Sequence, residues 1–236
     1  MRTFVLELDA LPSLREAAAA HDVDLAAAAT LAELAGVDAV RLGANLDLKP
    51  VREEDLRDAR RAARRLELRM PPVETLLKVA LALRPDRVLL AADGREGPAA
   101  AGPLDLRGGE ASVAPVARSL GEAGIAVGAL IAPGIEAVKR AHAEGLKRVE
   151  LFTGNLTDLP PAERRSGLTQ LSDAARLAAK LGIEVGLAGG LGYRSLREVL
   201  DAAPAAERVA VGRAALARAL LVGLDQALRD LRALAA

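Results

Sequence analysis

Eight short apolar runs alternating with helical runs predict an α/β fold, a single (β/α)8 (TIM) barrel spanning residues 1–236. Two further observations support it. The composition does not break anywhere along the chain, and 236 residues is close to the roughly 250 typical of such barrels. An open doubly wound sheet is the competing topology. It is disfavoured because no GxGxxG follows the first strand and the strand count closes at eight.

The elements follow in order. FVLELD (4–9) reads as a strand, DLAAAATLAELAG (24–36) as a helix ended by glycine, and DAVRLG (38–43) as the second strand. REEDLRDARRAARR (52–65) carries acids in its first turn and bases in its last, as the helix dipole favours. LELRM (66–70), a helix over 73–84 and DRVLLAA (86–92) come next. The Gly/Ala/Pro-rich connection 93–109 is longer than such connections usually are, and is expected to be a mobile loop over one mouth of the barrel. The alternation resumes with a helix over 111–124, strand IAVGALI (125–131), a helix over 134–145 and strand KRVELFTG (147–154). A helix over 166–182 leads to strands EVGLAGG (184–190) and RVAVGR (208–213), and a helix over 214–236 closes the chain, giving eight strands among seven named helices. In that last helix Leu216, Leu220, Leu224, Leu228 and Leu231 form an apolar stripe, expected to pack on the barrel or to serve an assembly role.

Composition excludes several classes. Lys plus Arg and Asp plus Glu number 32 each. With no basic surplus, and with only Phe4, Phe152 and Tyr193 as aromatics, a nucleic-acid partner is not expected. The absence of cysteine removes disulfides and thiolate sites. His21 and His142 lack companions at metal-ligand spacing, so no metal and no cofactor are expected. No apolar stretch reaches signal-peptide or membrane-span length, which leads to the expectation of a cytoplasmic protein without a membrane partner.

Strand parity singles out candidate residues, because alternate side chains face opposite sides of a strand. Phe4, Leu6, Leu8, Val40, Leu42, Leu66, Leu68, Met70, Val149 and Leu151 form the outward set. That leaves Val5, Glu7, Asp9, Arg41, Gly43, Glu67, Arg69, Arg148, Glu150 and Phe152 facing the interior. A purely structural barrel fills those layers with branched apolar side chains. Charges there mean either a ligand site, with arginines for anionic groups, or a buried network of mutually satisfied ion pairs. If the protein is an enzyme, Glu7, Asp9, Glu67 and Glu150 are its acid–base candidates. Ligand binding is expected at Asp9, Arg41, Arg69, Gly189, Gly190, Gly212 and Arg213, with Gly192 alongside. Glycine at the carboxyl end of a strand brings backbone N–H groups and a helix N-terminus close to an anion.

The segments LELDALPSLREA, AELAGVDAVRL, VELFTGNLTD, AAKLGIEVGLAGGLGY and VGRAALARALLVGLDQAL, taken in succession, resemble the pyridoxine 5′-phosphate synthase family of vitamin B6 biosynthesis. The resemblance spans nearly the whole chain. It implies a barrel that joins 1-deoxy-D-xylulose 5-phosphate to 3-amino-2-oxopropyl phosphate, and a homo-oligomeric assembly. It also exposes departures. The family's Asn-x-Asp-His reads Glu7-Leu8-Asp9-Ala10 here. Its catalytic histidine after strand two falls on Gly43, a nearby substrate-binding arginine on Asn45, and its catalytic glutamate on Arg69. Its proton-donating histidine after strand seven falls on Gly189, and its last Gly-His pair becomes Gly212-Arg213. The expectation is a divergent member that has lost ring closure and keeps at most a site for a small phosphorylated ligand, in a regulatory or partner role. An enzyme of altered chemistry using the inward carboxylates is the alternative, and a structural assembly protein the third.

Overall fold

The structure is a computed structural model that describes residues 2–20, 22–94, 101–107, 113–154, 156 and 159–235. Eight parallel strands close into a barrel in sequence order. They are β1 Thr3–Glu7, β2 Ala39–Gly43, β3 Leu66–Met70, β4 Arg87–Leu90, β5 Ala126–Ile131, β6 Arg148–Phe152, β7 Glu184–Ala188 and β8 Arg208–Val211. Closure is direct: Leu6 of β1 pairs with Val40 on one side and with Val211 on the other. The expected barrel is therefore present.

Ten helices surround it among the described residues: α1 Ala10–Ala18, α2 Leu25–Leu34, α3 Glu53–Ala62, α4 Glu74–Leu83, α5 Val113–Glu122, α6 Ile135–Ala143, α7 Pro161–Lys180, α8 Leu196–Ala202, α9 Arg213–Val222 and α10 Leu224–Ala235. Three departures separate these from the seven named in the sequence, one of them α8 between β7 and β8, where no helix was expected. α1 follows β1 directly, with Pro12 in its first turn, where a missing N–H costs nothing. The expected helix 214–236 is two helices, because Gly223 ends α9 and turns the chain back. Leu228 and Leu231 of α10 are buried, whereas Leu220 on α9 is 74% exposed, so the leucine stripe is not one surface. Tyr193 fixes the fold-back by donating its hydroxyl to the Ala227 carbonyl at 2.7 Å, with Arg218 stacked over its ring.

The barrel holds two cores. Phe4, Leu6, Leu8, Val40, Leu42, Leu66, Leu68, Met70, Val149 and Leu151 all point outward against the helices, as parity requires. Inside lies a small separate apolar group, Val5, Ala39, Leu89, Ala91, Leu130, Ala188 and Ala210, with Phe152 packed on it. The remaining interior is charged. The part of the 93–109 connection that is described is tied down: Leu104 bridges to Ile131, its N–H meets Leu130 O at 2.8 Å, and Asn45 Nδ2 donates to Gly94 O. Residues 95–100, 108 and 109 of that connection, like His21, lie outside the described residues.

Candidate functional site

A cavity of about 740 Å³ opens at the carboxyl ends of the strands. Glu7 and Asp9 after β1, Arg69 on β3, Phe152 on β6, Gly189 and Gly190 after β7, and Gly212 and Arg213 after β8 line it. Ala101 from the long connection and Ser13 of α1 complete the wall. Arg41, Glu67 and Glu150 do not reach this cavity. They lie beneath it, and Gly192 is used elsewhere, its N–H taken by Ser195 Oγ at 3.2 Å.

The buried charges form one network. Arg41, fully buried, donates to Glu67 at 2.7 Å, to Glu150 at 2.8 and 2.5 Å and to Glu7 at 3.3 Å. Arg208, the first residue of β8, binds Glu67 and lies 3.5 Å from Glu150. The strand register sets this up by placing Glu7 beside Arg41 and Arg41 beside Glu67 on neighbouring strands. Nearer the mouth, Arg69 donates to Asp9 at 2.6 Å and to Glu7 at 3.1 Å, and the Gly43 N–H donates to Asp9 at 2.6 Å.

These partners divide the carboxylates. Burial acts to raise the Glu150 carboxyl, but the charge and hydrogen bonds of Arg41, with Arg208 and Arg87 behind it, outweigh burial and hold it below the ordinary carboxylate range. At Asp9 burial prevails, and with Glu7 it pushes the carboxyl above its usual value against the pull of Arg69. Asp9 is thus the cavity-facing carboxylate displaced towards proton uptake, whereas Glu150 is fixed as an anion.

Two glycines at the mouth face space already taken by other side chains. A Cβ on Gly43 would come within 2.9 Å of Arg69 Nη2 and 3.3 Å of Asp9. A Cβ on Gly189 would lie 2.6 Å from the Phe152 ring, and its φ of +98° suits only glycine. Thr153 Oγ1 donates to Gly189 O at 2.5 Å and holds this turn in place. Across the cavity α9 begins at Gly212 without any side-chain cap. Its first N–H groups therefore face the opening with the positive end of the helix dipole. Arg213 beside them is exposed and meets no carboxylate among the described residues. Among the described residues no group of three or more His, Asp or Glu could hold a metal.

Parity placed Phe152 inside but gave it no role. Its inward aromatic ring is the signal that could have marked it as part of the wall. Arg87 and Arg208, first residues of β4 and β8, lie outside the charged alternation of β1, β2, β3 and β6 that marks the other inward groups in the sequence.

The molecule is a (β/α)8 barrel whose pocket lies at the carboxyl ends of its strands, the face where enzymes of this fold keep their active sites. Residues 4–236 match the family described as "Pyridoxal phosphate biosynthesis protein PdxJ", and the chain belongs to that family. It is 31% identical over 235 residues to the pyridoxine 5′-phosphate synthase of Synechococcus sp. (strain CC9605), covering 99% of this chain and 94% of the relative. The pyridoxine 5′-phosphate synthase of Desulforapulum autotrophicum is also 31% identical, over 236 residues, covering 99% of this chain and 98% of the relative. Among solved structures, the tryptophan synthase alpha subunit of Legionella pneumophila superposes with a TM-score of 0.62 at 12% identity, covering 99% of this chain and 92% of that one, a likeness of fold alone. No helix among the described residues is long and apolar enough to cross a membrane.

Proposed function

We propose that this member of the PdxJ family binds a small phosphorylated ligand at the carboxyl-terminal mouth and does not carry out the ring closure implied by its relatives' name, pyridoxine 5′-phosphate synthase. One observation carries the reading. At two positions where the family resemblance expects a catalytic histidine, Gly43 and Gly189, the space a side chain would need is filled by Arg69 and by Phe152. General acid–base chemistry needs a titratable group within hydrogen-bond reach of the reacting atoms. Neither glycine nor a guanidinium supplies one.

The opposite wall supports binding. The uncapped start of α9, Gly190 and the unengaged Arg213 offer N–H donors and a positive charge to a phosphate, and Phe152 offers a flat apolar surface to the rest of the ligand. The role is that of a ligand-responsive partner or regulator. Calorimetric titration with pyridoxine 5′-phosphate tests it: saturable binding that weakens in Arg213→Ala is the expected result, and absence of binding would refute it.

A second reading rests on Asp9, whose carboxyl faces the cavity and is raised by burial. An enzyme of altered chemistry would use this group for proton transfer, and its turnover would disappear in Asp9→Asn. Self-association, implied by the family resemblance, would draw on Leu220, Leu221 and Val222, exposed together at the end of α9. Sedimentation of a Leu220→Glu, Leu221→Glu variant would then show smaller particles than the parent.

A further inference from the structure

The amino-terminal end of the barrel holds a second, larger cavity of about 1370 Å³. Arg87, Arg148 and Arg208, the first residues of β4, β6 and β8, line it together with Arg2. Arg229 and Arg232 stand on the rim, each already paired, with Asp225 and Asp38. Among the described residues the carboxylates lining the cavity are Glu184 and Glu207. This face of such barrels ordinarily serves stability, and Glu184 bridging Arg87 at 2.6 Å and Arg148 at 3.2 Å would serve that end.

Two features go further than stability requires. A single carboxylate is shared between Arg87 and Arg148, and Arg148 engages it through Nε only, leaving both terminal nitrogens for another acceptor. Among the described residues Arg2 binds the carbonyls of Ala206 and Ala235 and no carboxylate. Arg208, by contrast, is turned to the barrel interior, where it binds Glu67 and its buried Nε lies 3.5 Å from Glu150. Guanidinium forks converging on one cavity match the tetrahedral oxygens of a phosphoryl group.

The geometry points to a second anion site at this amino-terminal mouth, formed by Arg2, Arg87 and Arg148 and taking a small phosphoryl-bearing anion, with Glu184 as its internal competitor. It is independent of the carboxyl-terminal pocket and stands whether or not that pocket binds a ligand.

Inorganic pyrophosphate is the probe, titrated calorimetrically at low salt into the full-length protein and its variants. Pyrophosphate should bind the Arg213→Ala protein, in which the carboxyl-terminal mouth has lost its free cation. Adding Arg148→Ala should weaken that binding about tenfold or more, and adding Arg2→Ala further still. Glu184→Gln, which removes the competing carboxylate, should instead tighten it, an effect a purely structural ion pair would not produce. Thermal unfolding of each variant checks that the barrel is intact. No binding to the Arg213→Ala protein, or affinity unchanged by both Arg148→Ala and Glu184→Gln, would overturn the site.

Discussion

The two ends of the barrel both present positive groups, but by different means. At the carboxyl-terminal mouth the side-chain charges are spent on one another: Arg69 is committed to Asp9 and Glu7, and Arg41 below it to three glutamates. What remains for a ligand is backbone, at Gly190 and the open start of α9, plus Arg213. At the amino-terminal mouth the backbone is engaged in the strand ladder and the positive potential comes from arginine side chains that outnumber the described carboxylates lining the cavity. A charged interior thus does not by itself mark the ligand site. Whether the charges have partners does.

The sharpest way to break this comparison is to remove the cation at the centre of the network. Arg41→Ala leaves Glu7, Glu67 and Glu150 without their shared partner, and is expected to cost about 3–5 kcal/mol in urea unfolding, as for an uncompensated buried charge. A loss below about 1 kcal/mol would place it in the class of exposed pairs. Next in size is Gly189→Ala. Its backbone conformation and the Phe152 ring oppose any side chain, so a loss of about 1–3 kcal/mol is expected. Phe152→Ala in the same chain should recover the steric part, measured as a coupling between the two substitutions.

A pH experiment sharpens the contrast between the two carboxylates. Glu150 has its folded value depressed, so the unfolded chain takes up the proton first as pH falls. Its stabilising contribution is therefore present above the unfolded value of about 4.3 and is lost as pH drops towards the folded one. Glu150→Gln should flatten the acid limb of stability against pH. An unchanged limb would mean that Glu150 is not held by Arg41 as described. The smallest stability effect is expected at the mouth itself. Arg213→Ala should stay within about 0.5 kcal/mol of the parent, as an exposed substitution does, while lowering affinity for pyridoxine 5′-phosphate about tenfold.

Much of this fold is legible in the sequence, because period-two alternation in β1, β2, β3 and β6 separates outward leucines from inward charges without ambiguity. The inward set is correct as a set. Parity does not give height along the barrel axis, which is why Arg41, Glu67 and Glu150 looked equivalent to Asp9 and Arg69. Only the register and tilt of the strands put the first three beneath the mouth. Gly223 was harder still. A lone glycine in a helical pattern costs only about 1 kcal/mol, so nothing local announced that the chain would turn there to bury Leu228 and Leu231. The space in front of Gly43 and Gly189 is also invisible in sequence, since Arg69 and Phe152 reach it from other strands.

That occupied space underlies the central claim, and one assay addresses it directly: purified protein at high concentration, supplied with 1-deoxy-D-xylulose 5-phosphate and 3-amino-2-oxopropyl phosphate, and followed for pyridoxine 5′-phosphate. The account predicts that no product forms although pyridoxine 5′-phosphate itself binds. Product formation that is lost in Asp9→Asn would contradict it, and would make Asp9 the proton-transfer group of a working enzyme.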